Sequence, residues 1–168
     1  MNYDDKMSIT LKLAEAALEK GELPIAAAVF LDDEIISQSY TTEKMDKRFL
    51  IHAELKTLIE ADTKGFSLKD RSRMQLFTTL EPCMMCLGAA MSFFIGEVCY
   101  ALESPSDGAV AIAKKWNPQS EDFPGYRVPR IVGGILRDKS QDLFRDYLKV
   151  NGNEHETVYK WAKSLTLL

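Results

Sequence analysis

The residues best suited to carry chemistry in this sequence are two cysteines and one histidine. Cys83 and Cys86 are three positions apart, so both thiols point to one side if the segment is helical. Pro82 suits the first turn of such a helix, where its missing N–H costs nothing. The positive partial charge of a helix N-terminus favours thiolates over thiols. With His52 as a third, neutral ligand, the pattern predicts a metal site.

The predicted ligand set leaves one position open, which is typical of a catalytic zinc site. Zinc lowers the pKa of a bound water to about 7, so that hydroxide is available at neutral pH. Glu54 lies two residues after His52 and can reach a water bound in that open position, where it could act as a general acid–base. Such acid–base help typically contributes about 10²–10⁴-fold to a rate. For Glu81 we expect a structural role, as a helix cap or as a hydrogen-bond partner of His52.

A Cys-x-x-Cys motif also occurs in redox dithiols and as half of a structural zinc site. A structural site needs four protein ligands, and the chain contains three cysteines and two histidines. Cys99 falls in an apolar strand segment, where a cysteine is usually core. His155 falls in a polar stretch, residues 151–156, where we expect it to be solvated. The open site with three protein ligands is therefore favoured over the redox and structural alternatives.

Longer segments around these residues resemble the cytidine deaminase-like superfamily. Within it, the sequence is most similar to the branch of bacterial tRNA adenosine deaminases and nucleoside or guanine deaminases. His52–Glu54 and Thr79–Ala89 match the two zinc motifs of that branch. Glu22–Val29 resembles its first strand, and Val132–Leu136, followed by an amphipathic helix, resembles its C-terminal unit. The resemblance covers roughly residues 5–150.

The resemblance implies a zinc-dependent hydrolytic deaminase with a three-layer α/β/α fold. One zinc ion per chain would be held by His52, Cys83 and Cys86, with Glu54 as the catalytic proton shuttle. The family usually forms homodimers through its zinc-bearing helices, and the Met- and Phe-rich segment Met84–Phe94 offers an apolar surface for such pairing.

Hydrophobic periodicity predicts the elements that must position these side chains. Helices are expected over residues 4–20, 52–62, 82–93, 109–115, 138–150 and 154–165. Strands are expected over residues 25–31, 34–38, 74–79, 98–102 and 130–135. Residues 40–50, 63–73 and 116–126 are expected to be loops. This order predicts an α/β fold in one domain over residues 1–168, with a mixed five-stranded sheet, helices on both faces, and an extra C-terminal helix within residues 153–168.

Composition limits the possible partners. The 168 residues are 46% hydrophobic and 27% charged, which is ordinary for a globular protein. No apolar run approaches membrane-spanning length and the N-terminus has no signal-peptide pattern, so we expect a cytoplasmic protein without a membrane partner. The net charge of −4 and the pI of 5.3 do not suit a protein built to hold a long phosphate backbone. Lys44, Lys47 and Arg48 form one plausible basic rim, although charge runs more often mark a solvated face.

Six residues are candidates for contact with the substrate: Pro24, Ala26, Tyr40, Ala53, Ser104 and Trp116. In the tRNA adenosine deaminases, an Asn usually follows the second strand and an Asp-Pro pair usually precedes His-Ala-Glu, whereas this chain has Tyr40–Thr42 and Phe49–Ile51 there. The usual Gly of the first strand is Ala26, and the usual Asp after the fourth strand is Ser104. Aromatic side chains that could stack on a base are Tyr40, Trp116, Phe123 and Tyr126.

Three hypotheses follow for the function. The first is a deaminase of a free nucleobase or nucleoside, and the second is a tRNA wobble adenosine deaminase that converts adenosine to inosine. The third is a zinc-stabilised dimer module without activity. The presence of Glu54 and the lack of a fourth protein ligand argue against the third. The acidic pI and the departures from the tRNA deaminase pattern favour a small-molecule base or nucleoside over tRNA.

Overall fold

The computed structural model describes residues 1–116, 125–151 and 155–168. Its strands are β1 Ala26–Leu31, β2 Glu34–Tyr40, β3 Met74–Leu80, β4 Glu97–Leu102 and β5 Arg130–Val132. Its helices are α1 Tyr3–Glu19, α2 Glu43–Asp46, α3 Ala53–Asp62, α4 Leu68–Arg71, α5 Met84–Ser92, α6 Val110–Ala113, α7 Arg137–Val150 and α8 Thr157–Leu165. Among the described residues, no helix is both long enough and apolar enough to cross a bilayer.

The sheet has the strand order β2-β1-β3-β4-β5. Strand β1 is antiparallel to both β2 and β3, whereas β3, β4 and β5 run parallel to one another. Parallel neighbours cannot be joined by a tight hairpin, and α5 makes the crossover from β3 to β4. The carboxyl end of β3 therefore leads directly into the cysteine motif, and the prediction of a mixed five-stranded sheet is confirmed.

Alternate residues of β1 pack against different helical layers. Ala27 and Val29 face the core that contains the apolar sides of α3 and α5. Ala26, Ala28 and Phe30 face the core that α1 and α7 cover. Because both faces of the central strand are buried, its sequence is a continuous apolar run instead of an alternating one. Helices therefore lie on both faces of the sheet, as the sequence predicted.

A third apolar cluster connects the two C-terminal helices to the strand ends. Leu80 and Leu102, the last residues of β3 and β4, share this cluster with Phe144 of α7 and Leu165 of α8. The rings of Phe144 and Trp161 meet edge to face, with centroids 6.0 Å apart. Helix α8 therefore lies close to the carboxyl ends of β3 and β4, the edge of the sheet from which the cysteine motif departs.

Two single-turn helices lie in segments that were predicted as loops. Helix α2 falls within residues 40–50, and the buried Glu22 carboxylate accepts hydrogen bonds from the backbone N–H groups of Lys44 and Met45. Helix α4 falls within residues 63–73, and the Ser67 hydroxyl accepts a hydrogen bond from the Asp70 N–H. Four-residue helices are too short to show a hydrophobic period, so side-chain caps determine them.

Two helix starts also differ from the prediction by more than one residue. Helix α5 begins at Met84 with Cys83 as its N-cap, so Pro82 lies just before the helix and not in its first turn. Helix α8 begins at Thr157, three residues later than expected. Part of the loop predicted over residues 116–126, including Phe123, lies outside the described residues.

Thr79 ties β3 to the entry of β1 through its buried side chain. Its hydroxyl donates to the Pro24 carbonyl and accepts from the Ala26 N–H, both at 3.1 Å. Thr79→Val keeps the shape but leaves both backbone groups without a partner. We expect the free energy of unfolding to fall by about 1–3 kcal/mol, as measured by urea denaturation.

The matched control for this prediction is Thr63→Val. The Thr63 hydroxyl also donates to a backbone carbonyl, that of Glu60, but it does so in solvent. We expect this variant to stay within about 0.5 kcal/mol of the parent. Equal losses in the two variants would contradict the role given to Thr79.

Candidate active site

Two helices begin at one point on the sheet edge, and each supplies a potential metal ligand from its N-cap. His52 is the N-cap of α3, and Cys83 is the N-cap of α5. Cys86 lies in the first turn of α5. His52 Nδ1 is 3.6 Å from Cys83 Sγ and 3.5 Å from Cys86 Sγ, and all three donor atoms lie within 4.8 Å of one another.

These distances fit a zinc ion bound between the three side chains. Zinc binds sulfur at about 2.3 Å and imidazole nitrogen at about 2.0–2.1 Å, so tetrahedral geometry separates S and N ligands by about 3.5 Å. The observed separations of 3.5 and 3.6 Å agree with that value. Cys99 is fully buried in the core between the sheet, α1 and α7, and does not belong to the group. The site has three protein donors of the kind that zinc prefers.

The electrostatics of the metal-free group favour one thiolate and one imidazolium. A hydrogen bond from Cys86, followed by one from His52, lowers the pKa of the Cys83 thiol to about 4. The Cys83 thiolate in turn raises the pKa of Cys86, and burial raises it further. Hydrogen bonding with Cys83, and next with Glu43, raises the pKa of His52 to about 10. The cluster therefore already holds a negative sulfur that can receive a cation.

Glu54 stands beside the ligand group with an unsatisfied oxygen. Glu54 is 3% exposed. Among the described residues, its Oε2 is the one buried side-chain polar atom without a hydrogen-bond partner. Burial raises the pKa of this carboxyl group to about 7. A buried polar atom without a partner costs free energy, so its retention here indicates a function at this position.

A cavity of about 340 Å³ opens onto His52, Glu54 and Cys83. Its apolar wall consists of side chains from the entry to β1, the end of β3 and helix α8: Leu23, Ile25, Leu80, Val158 and Trp161. Its carboxylates are Glu43, Glu54, Glu81 and Asp107. No Lys or Arg of residues 1–116, 125–151 and 155–168 lines it. The cavity can enclose a small, uncharged ring next to the potential metal site.

Glu81 holds the loop that closes one side of this cavity. Its carboxylate accepts hydrogen bonds from the Ser104 N–H at 3.0 Å and from the Val110 N–H at 3.1 Å. A β-carbon at Gly108 would lie 2.4 Å from the Glu81 carboxyl carbon, so only glycine fits there. Of the two structural roles expected for Glu81, the structure has the helix cap, for α6.

The sequence pattern of the MafB19-like deaminase family matches residues 1–146. The chain belongs to this family. The match spans both zinc motifs and all five strands, and it agrees with the resemblance to cytidine deaminase-like proteins. It also accounts for the His-x-Glu and Cys-x-x-Cys pairs that meet at the cavity.

Relatives of this MafB19-like deaminase carry different activities in their names. It is 34% identical to the tRNA-specific adenosine deaminase of Streptococcus pyogenes serotype M1, over 92% of this chain and 87% of that protein. It is 35% identical to the tRNA(Ile)-lysidine synthase of Deinococcus radiodurans, covering 83% of this chain but only 23% of that protein. The solved structure of the guanine deaminase from Nitrosomonas europaea has a TM-score of 0.66 at 25% identity, covering 87% of this chain and 84% of that one. Deaminase function is supported, and these names divide between tRNA and a free base.

Of the six residues expected to contact substrate, Ala53 lines the cavity. Pro24 and Ala26 are buried beside it, and their backbone groups are bonded to Thr79. They therefore shape the cavity through the segment just before β1, which carries Leu23 and Ile25.

The other three expected contacts lie away from the cavity lining. Tyr40 accepts a hydrogen bond from Lys56 Nζ through its carbonyl, at 3.2 Å. Ser104 is 1% exposed and donates its hydroxyl proton to Asp107. Trp116 packs against Tyr126, with ring centroids 6.0 Å apart, in a separate surface region.

Several lining residues were not predicted from the sequence. The most informative are Thr41 and Glu43 beside α2, Asp107 in the turn after β4, and Thr157, Val158 and Trp161 of α8. Trp161 Nε1 donates to Ser106 Oγ at 3.0 Å, which fixes α8 to the same turn. The amphipathic pattern of the last helix was the available signal for Val158 and Trp161, and nothing local marked Glu43.

The low pKa of Cys83 predicts its alkylation behaviour in the metal-free protein. Since the thiol is already ionised at pH 6, iodoacetamide should modify Cys83 at a rate that changes little between pH 6 and pH 8. Cys86 and Cys99 are buried with raised pKa values and should react far more slowly. Peptide mass spectrometry after timed labelling measures all three rates. A tenfold rise in the Cys83 rate per pH unit would contradict the assignment.

Proposed function

We propose that this chain is a zinc-dependent hydrolytic deaminase that removes an exocyclic amine from a free nucleobase or nucleoside. His52, Cys83 and Cys86 would hold one zinc ion, and Glu54 would be the catalytic acid–base. The observation that carries the proposal is the buried, unpartnered Glu54 oxygen beside a His-Cys-Cys group whose spacing suits zinc. When bound, the zinc ion would lower the pKa of the attacking water.

Glu54 performs the proton transfers in this proposal. With a pKa near 7, its carboxylate can take a proton from water and its acid form can give one away at neutral pH. It passes one proton to the ring nitrogen as the water oxygen bonds to the ring carbon. The carboxylate then takes the remaining proton of that oxygen, which becomes the carbonyl, and gives it to the exocyclic amine, which leaves as ammonia when the C–N bond breaks. The apolar wall excludes bulk water, which strengthens these short-range interactions.

The charges around the cavity support an uncharged substrate with N–H donors. Glu43 and Asp107 add two carboxylates to the lining besides Glu54, and both Glu81 oxygens accept hydrogen bonds from backbone N–H groups. A phosphate placed there would meet these carboxylates without a Lys or Arg side chain from the described lining. The cavity volume of about 340 Å³ is also near the lower end of the roughly 300–1,000 Å³ typical of ligand sites.

Two further parts of the proposal concern assembly and location. Ile59 of α3 and Met84 of α5 are 58% and 61% exposed on the zinc-bearing helices, which supports a homodimer formed through this surface. The cytoplasmic location remains a prediction from the sequence.

A second cavity supports tRNA as the alternative substrate. It has a volume of about 450 Å³, adjoins the first cavity through Leu23, Glu43 and Val158, and is bordered by Lys44, Lys47, Arg48 and Phe49. Phe49 is 89% exposed, and neither Lys47 nor Arg48 pairs with a carboxylate among the described residues. Cations beside an exposed aromatic ring are typical of single-stranded nucleic acid sites. This observation favours the tRNA adenosine deaminase hypothesis.

Removing the Glu54 carboxylate tests the proposed chemistry. We expect Glu54→Gln to retain zinc and to lose about 10²–10⁴-fold in kcat on any substrate found by screening bases, nucleosides and tRNA for ammonia release. Metal analysis and steady-state kinetics on the same preparation measure both quantities. We expect Cys86→Ala to lose zinc itself.

Glu60→Gln is the matched control for Glu54→Gln, because Glu60 is an exposed carboxylate on the same helix. We expect it to keep both the zinc and the parent rate. Parent activity in Glu54→Gln would remove Glu54 from the mechanism, and full zinc retention in Cys86→Ala would overturn the ligand assignment.

Salt dependence distinguishes the two substrate classes. Phosphate contacts make affinity fall steeply with salt, whereas binding of an uncharged base does not. We expect turnover of a free base or nucleoside with a KM that changes little between low and high salt. The double variant Lys47→Gln/Arg48→Gln should leave that KM unchanged.

The opposite result would establish the tRNA alternative. The affinity for an anticodon stem-loop would then fall steeply as the salt concentration rises. The double variant would lower that affinity further. The tRNA alternative also requires that no free base or nucleoside is turned over.

A further inference from the structure

The two nitrogens of the His52 imidazole face different partners. Nδ1 lies 3.5 and 3.6 Å from the two sulfurs, on the side where the metal would bind. Nε2 lies 3.5 Å from Glu43 Oε1, on the opposite side of the ring. Glu43 is the first residue of α2, a helix that was not predicted from the sequence. The imidazole is therefore held between the cysteines and a carboxylate.

We propose that Glu43 is a positioning residue, which orients the His52 ring so that Nδ1 faces the metal; the inference rests on the proposed zinc site. A histidine that binds metal through Nδ1 carries its ring hydrogen on Nε2. A carboxylate at Nε2 accepts that hydrogen, selects this tautomer and opposes rotation of the ring. Partners of this kind typically contribute about 10–100-fold to metal affinity.

Glu43 can act in this way because its own position is fixed. The Glu22 carboxylate, 2% exposed, accepts the Lys44 and Met45 N–H groups at 3.1 and 2.6 Å and so anchors α2. The Thr41 hydroxyl lies 3.1 Å from the Ile51 carbonyl and 3.3 Å from Glu43 Oε2. The segment that carries Glu43 is thereby bonded to the residue directly before His52.

Two other roles for Glu43 must be separated from this one. Glu43 also lines the cavity, so it could contact substrate, and it begins α2, so its loss could disturb that helix. Zinc affinity measured without substrate removes the first role from the readout. Asp46→Asn provides the control for the second role, because this substitution removes an equal charge from the same helix. Asp46 accepts its hydrogen bond from the Thr42 hydroxyl and has no contact with His52 among those described.

The experiment compares zinc affinity by chelator competition in the parent, Glu43→Ala, Glu43→Gln and Asp46→Asn. We expect Glu43→Ala to bind zinc about 10–100-fold more weakly than the parent. Glu43→Gln should lie between the two, because its amide oxygen still accepts a hydrogen bond. Asp46→Asn should match the parent. The thermal midpoints of the metal-free proteins should agree, since the role concerns the metal-binding geometry and not the fold.

Nitrogen NMR gives a direct view of the ring, because the chain has only two histidines. In the zinc-loaded parent labelled at histidine, the His52 Nε2–H signal should be protected from exchange with water. In Glu43→Ala that protection should disappear.

Three outcomes would overturn the inference. They are parent zinc affinity in Glu43→Ala, an equal loss in Asp46→Asn, and lower metal-free stability in Glu43→Ala that accounts for the whole effect. A parent protein that bound no zinc would overturn the proposed function as well. Parent binding with an unaffected Glu43→Ala variant would overturn only this inference.

Discussion

The site depends on the requirement that two helices begin at the same point. His52 and Cys83 occupy the N-cap positions of α3 and α5 in extended backbone conformations, which direct both side chains to the shared point. An N-cap side chain usually accepts a backbone N–H and contributes about 0.5–2 kcal/mol, but neither His52 nor Cys83 makes such a bond. Each helix gives up that stabilisation so that its N-cap can serve as a ligand. Burial of Leu58 and Leu87, on the faces that α3 and α5 turn to the sheet, offsets the loss.

Two carboxylates, the buried Glu22 and the partly buried Glu81, perform the equivalent task for the irregular segments around the site. Glu81 is bonded to one N–H group just after β4 and to the first N–H group of α6, and Glu22 is bonded to two N–H groups of α2. A buried charge is tolerated only when it is well hydrogen-bonded, and charge-assisted bonds to backbone N–H groups are strong. Each acid therefore gives a short segment one defined position at the cavity. Glu54 differs from both, because one of its oxygens has no such partner among the described residues.

The sequence located the ligand group because its information is local. Cys83 and Cys86 are related by a spacing within one helical turn, and strand and helix periods predicted the order of the elements along the chain. Residues brought in by tertiary contact could not be found in the same way. Glu43 reaches His52 only because α2 is anchored by Glu22, which lies in a different segment of the chain. Pro24 and Ala26, which were expected to contact substrate, lie beside the cavity, and a backbone group of each is bonded to the Thr79 side chain, which holds the chain at the entry to β1.

Helix α2 separates the two charge environments of the site. Glu43 faces inward, where it contacts the histidine and joins a cavity whose described charged side chains other than His52 are acids. Lys47 and Arg48, just after the helix, border the adjoining cavity together with the exposed Phe49. The sheet and helices α3 and α5 place the reactive groups, so changes in them would affect chemistry with every substrate. Changes in α2 and its flanks would instead alter which charges a ligand meets as it enters. The segment with most of the departures from the tRNA deaminase pattern, residues 40–51, therefore also supplies the side chains that border both the acidic cavity and the adjoining basic one.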